Sequence, residues 1–257
     1  MRNVAFSALL VVAAVSTGCS KGPVEISGST LFKAVDENDL ASFQSALKDV
    51  PELARAESEN GIPVLHHAAG LGRLDMVKLL LDGGVDVNST GSFGDVKAVQ
   101  WIFQCKGPRL DILALLLENG ADPNTADGFG STVLMSAARL GRTDLVELLV
   151  SKGADVNARE TGSLELSVLH YAALGANPDV VECLIGHGAD TAAKDKHGRT
   201  PLDFALAVVT ARGAAHDTDI TMNVDAFVDR AALEDAAASG RNFKPVIELL
   251  RSHTSAP

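Results

Sequence analysis

The side chains able to do chemistry are few in this chain of 257 residues, and their spacing is mostly wrong for it. His66 and His67 are adjacent, so on a helix they face different directions and cannot hold one ion together. Asp122-x-Asn124-x-x-Asp127-Gly128 offers oxygen ligands for calcium, but the spacing is not that of an EF-hand and the closing Glu is missing. A turn between structural repeats explains those residues without a metal. Ser136 and Asp203 have no triad partners at a recognisable spacing. No zinc-helix motif, P-loop, nucleophile elbow or paired Cys-x-x-Cys occurs. Three cysteines, Cys19, Cys105 and Cys183, cannot make a disulfide framework, and the last two read as small core residues. An enzyme or small-ligand site would have to use His216, Asp217, Asp219 and Asp225, which a solvated loop explains more simply. These residues predict no enzyme, no metal and no cofactor.

The composition agrees. Apolar residues make up 46% of the chain, too many for a disordered one, and the formal net charge is −11. An acidic balance excludes non-specific nucleic-acid binding, which needs a basic surface to displace counterions. The first residues form a separate object. Arg2 precedes an uncharged, mostly apolar run over 4–15, and Ser16, Thr17 and Gly18 lead into Cys19. That pattern predicts a secretory signal over 1–18, too short to span a bilayer as a resident helix. Val-Ser-Thr-Gly-Cys resembles a bacterial lipobox, although Ser16 stands where a large aliphatic is usual. The resemblance implies acylation of Cys19, a tether over 19–28, and, with Ser20 following, the outer membrane of a Gram-negative bacterium. Loss of Arg2 would move the charge from −11 to −12.

The remaining chain repeats. GVDVN (84–88), GADPN (120–124), GADVN (153–157) and GADTA (188–192) recur at a period near 33 residues. Before each lies an aliphatic cluster: MVKLLL, ILALLL, LVELLV and VVECLI. Farther upstream sit VLHHAAGLG (64–72), VLMSAARLG (133–141) and VLHYAALGA (168–176), while TPLDFALA (200–207) begins another unit. The run over 31–47 fits a first unit lacking its entry hairpin. These segments closely resemble the ankyrin repeat over about residues 29–252. The resemblance implies an all-α ankyrin-repeat solenoid of about six helix-turn-helix repeats with β-turn fingers. Its physical logic follows. Paired alanines at 68–69, 137–138 and 172–173 let helices approach. Leu79, Leu80, Leu115, Leu116, Leu148 and Leu149 form a ladder that a stacked neighbour buries. Gly84, Gly120, Gly153 and Gly188 end helices in the left-handed region, and Thr132 and Thr200 can cap first helices. His66 and His170 take the family's structural histidine position, which predicts a hydrogen bond within the helix turn.

Departures from the pattern stand out. Trp101, Ile102, Gln104 and Cys105 replace the family's Leu, His, Ala and Ala, predicting a shifted or wider-packed helix. The period breaks after Ala207. Residues 208–240 read as an insertion in the last repeat, with an Ala-rich helix over 225–239 stopped by Gly240. VIELLR (246–251) restores the second-helix signature. The domain therefore runs over 29–257. In such a fold the partner sits on the concave face, at the turn tips and the open side of each first helix. The candidate tips are Asn60, Phe93, Phe129, Leu164 and His197; the first-helix candidates are Lys106, Arg139, Leu140 and Leu174. Phe129, Lys106 and Arg139 could border one patch. The resemblance implies a periplasmic scaffold for another protein, with an immunity or chaperone-like role as its concrete form.

Overall fold

The computed structural model describes residues 28–92, 94–104, 107–213 and 240–254. The expected signal over 1–18 and Cys19, then Phe93, Cys105, Lys106, the cluster His216, Asp217, Asp219 and Asp225, and the expected Ala-rich helix over 225–239, lie outside the described residues. The chain divides into two compact units, Met1–Asp122 and Pro123–Pro257.

In the first unit, α1 (Gly28–Glu37) and α2 (Leu40–Asp49) form a helix pair followed by a 3₁₀ turn (Pro51–Arg55). Next come α3 (Val64–Gly70) and α4 (Leu74–Asp82), a hairpin of β1 (Thr90–Gly91) and β2 (Gly94–Lys97), then α5 (Ala98–Gln104) and α6 (Leu110–Glu118). The second unit holds α7 (Val133–Leu140), α8 (Thr143–Ser151), α9 (Val168–Gly175), α10 (Pro178–Gly186), α11 (Pro201–Gly213) and α12 (Lys244–Thr254). Among the described residues this gives six helix-turn-helix repeats, as the period predicts. Within each unit, first helices pack on first helices and second helices on second helices.

Packing must hold these helices, because α3 has seven residues and α4 nine, while isolated helices shorter than about 12–15 residues are marginal in water. Small residues let the packing be close. Ala68, Ala137, Ala138, Ala172 and Ala173 are fully buried. A Cβ on Gly175 would stand 2.4 Å from the Ala138 carbonyl oxygen, so α9 approaches the end of α7 more closely than alanine permits. The leucine ladder is half of what the sequence predicts. Leu80, Leu116 and Leu149 are buried, whereas Leu79, Leu115 and Leu148 are half-buried. Neighbours on a helix diverge in direction, so one of each pair faces the stack and the other its flank.

Several first helices share one device at their start. The Met135 amide donates to Thr132 Oγ1 at 3.3 Å and the Asp203 amide to Thr200 Oγ1 at 3.4 Å, so both threonines cap as expected. In return, a side chain three residues on accepts from the cap amide: Asp203 from Thr200 at 2.7 Å and His170 from Ser167 at 3.2 Å. The Lys97 amide donates to Gln100 Oε1 at 2.9 Å in the same way. This corrects the register of the third repeat. Gln100 holds the position of the structural histidine, and Ile102 and Phe103 take the alanine places.

Helix ends are as predicted: Gly84, Gly120, Gly153 and Gly188 have φ from +78° to +90°. A ladder between repeats was not anticipated. The Asn88, Asn124 and Asn157 side-chain amides donate to the carbonyls of Gly120, Gly153 and Gly188 at 2.9, 3.1 and 3.0 Å. Asn124 and Asn157 also accept from the amides of Asp155 and Asp190 at 2.8 and 2.9 Å. The Asn of each Gly-x-Asp-x-Asn segment thus ties its repeat to the next, until Ala192 takes that place. At the end of the chain, α11 continues to Gly213, past the point where the sequence period breaks, and α12 packs on both α10 and α11.

Candidate functional site

The fingers that join the repeats are built alike. Cross-finger bridges pair Glu57 with Pro63, Ala126 with Thr132 and Arg159 with Ser167. In the second unit, Asp127 Oδ1 accepts from the amides of Phe129 and Ser131, both at 2.9 Å. Asp195 Oδ1 does the same for His197 and Arg199, both at 2.8 Å. Each aspartate folds its own turn, so Asp127 has a structural task that needs no calcium. Successive fingers are then joined by main chain: the Thr161 amide donates to the Phe129 carbonyl at 2.8 Å, and the Lys196 amide to the Leu164 carbonyl at 2.9 Å. Gly130, at φ +75°, has no room for a side chain, since a Cβ would lie 2.6 Å from the Thr161 nitrogen.

This strip presents Phe129 to solvent on a fixed backbone. Its ring is 73% exposed, the largest figure among the exposed large apolar residues of the described chain. His197 occupies the matching tip position and is exposed; Asn60, at the corresponding tip in the first unit, is exposed too. Arg139 and Leu140 are exposed at the end of α7.

Two predicted contact residues are corrected. Leu164 is 6% exposed and Leu174 5% exposed, so neither offers a surface. The finger bridged by Arg159 and Ser167 is two residues longer than the one bridged by Ala126 and Thr132, and its Leu164 and Leu166 are both buried. Leu174 lies where the chain returns after α11: Arg241 Nη1 donates to its carbonyl at 3.5 Å.

Between the strip and the first helices lies a polar group that sequence reasoning missed. The half-buried Tyr171 of α9 donates from its hydroxyl to Glu160 Oε2 at 2.5 Å. Burial, and then the Glu160 carboxylate, push the Tyr171 pKa above the usual tyrosine range, while Ser131 and the charge of Arg139 pull the other way. Tyr171 and Glu160 come from separate segments of one repeat, and nothing in their spacing announces the pair.

The histidines are structural: His170 makes the expected bond within its turn, to Ser167, and both rings also bond beyond it. Their Nε2 atoms reach the following finger: His66 lies 2.9 Å from the Val96 carbonyl and His170 3.0 Å from that of Arg199. Burial lowers both ring pKa values, chiefly by disfavouring the charged form. Cys183 is half-buried on α10 and not in the core; burial, followed by the charge of Glu147, raises its thiol pKa. Among the described residues no three of His, Cys, Asp and Glu gather as a metal site, and no helix is long and apolar enough to cross a membrane.

Family models described as ankyrin repeats match residues 31–127, 97–160 and 160–205, more than half of the chain. The chain belongs to the ankyrin-repeat family. No curated protein matches it. The ankyrin fold is a non-catalytic scaffold typical of protein–protein interaction, and the finger strip with Phe129 is its candidate contact surface here.

Proposed function

We propose that this ankyrin protein is a membrane-tethered scaffold of the bacterial periplasm that holds another protein on its finger tips and first helices. The exposed ring of Phe129 carries the reading. An aromatic side chain in water on a backbone fixed from both sides suits a binding anchor, because little entropy is lost when it docks. Arg139, Leu140 and His197 are exposed candidates for further contacts in the same unit, and Asn60 is an exposed candidate tip of the first unit. Once a partner is in hand, Phe129→Ala weakens binding by roughly 2 kcal/mol or more. An immunity or chaperone-like role is the concrete form of this scaffold.

The tether rests on sequence alone. Arg2, the apolar run and the small residues before Cys19 supply the reading, with 1–18 as the signal and 19–28 as the leash. Two or three acyl chains on one residue, each buried CH₂ contributing about 0.8 kcal/mol, make a durable anchor. Radiolabelled palmitate enters the wild-type protein and not Cys19→Ser, and the variant leaves the outer-membrane fraction. Equal labelling of the two forms contradicts the tether.

A further inference from the structure

The fingers of the second unit are charged in an uneven way. Three of their acids are already engaged within the chain: the exposed Asp127 accepts from the amides of its own turn, the half-buried Glu160 accepts from Tyr171, and Asp195, 5% exposed, holds Arg199. Their bases are turned outward. Lys194, Lys196 and His197 are exposed on the last finger, and their side chains make no hydrogen bond or ion pair among the described residues. Arg159, also exposed, donates to the Lys194 carbonyl at 2.6 Å, which draws it to the same finger. Glu165 and Asp127 are the exposed acids of these fingers, and Asp127 is engaged by its own turn. A protein with a net charge of −11 thus presents a basic edge two fingers along from the exposed ring of Phe129, and the main-chain bonds from Thr161 to Phe129 and from Lys196 to Leu164 hold the three fingers in succession.

We infer that this strip recognises an acidic protein segment bearing one apolar side chain, the apolar group resting on Phe129 and the carboxylates on Lys194, Lys196 and His197. The inference rests on the scaffold reading above and adds the chemistry of the partner. Complementary charge supplies steering and register, and the ring supplies most of the affinity. Elsewhere the acidic surface repels the same segment, which limits it to this strip.

Display selection of random twelve-residue peptides against the detergent-solubilised full chain tests it. Enriched peptides are expected to place Asp or Glu around a Leu, Phe or Trp. Their affinity falls about tenfold in Phe129→Ala and again in the double variant Lys194→Glu, Lys196→Glu, and it declines with added salt. All three residues are exposed, and unchanged melting curves confirm that the variants fold. Peptides without acids that still require Phe129 overturn the charge inference and leave the scaffold reading standing. Peptides indifferent to every variant, or no enrichment, overturn the inference. A fluorescent single-stranded oligonucleotide held through Lys194 and Lys196 but not Phe129 would assign the basic edge to nucleic acid and also overturn it.

Discussion

Single residues carry two separable tasks here, and substitutions distinguish them. Gly153 ends α8 at φ +90° with nothing within 4 Å of where its Cβ would be, so a side chain there meets backbone strain and no clash. Gly153→Val should cost more than about 1 kcal/mol, read as a lower thermal midpoint. An unchanged midpoint would contradict the repeat register. His66 and His170 make stability depend on pH. Their folded pKa values lie below the unfolded value of about 6.5, so on acidification the unfolded chain binds protons that the native one refuses. Stability is present above about pH 6.5 and is lost progressively below it, with a slope of at most about 1.4 kcal/mol per pH unit for each histidine. Denaturant titrations from about pH 7.5 to 5.5 measure that slope, and a flat profile would place the rings in water.

At the scale of elements, the period announced the helices because packing repeats itself: the paired alanines and closing glycines sit where the same neighbour recurs. Legibility fails where the contact is not periodic. Leu174 occupies the place that Arg139 has one repeat earlier, yet it is buried where the chain returns near Arg241. Leu164 sits at a finger tip in sequence, but its finger has two extra residues and the side chain is buried. The third repeat hid its register because Gln100 does the work of a histidine and Lys97, which has no capping hydroxyl, stands in the threonine's place; the cap-to-third-residue spacing was the available signal. The asparagine ladder was written in the repeat motif, but its partners lie one repeat away. Asn157→Ala removes one bond to Gly188 and one from Asp190 and should cost about 1–2 kcal/mol. Urea midpoints report the loss, and no change would show that the ladder follows the packing without supporting it.

At the scale of the whole molecule, an acidic protein with the proposed scaffold function engages its partner through its fingers. The second helices offer the natural control. Glu147 of α8 is exposed in the same unit as Phe129 but belongs to the second-helix set and not to the fingers. A photo-crosslinking amino acid is placed at position 129, and separately at 147, in the full-length protein in living cells. The account predicts a discrete adduct with one protein at 129 and none at 147. No adduct at 129, or equal adducts at both positions, would contradict a scaffold that works through its finger strip.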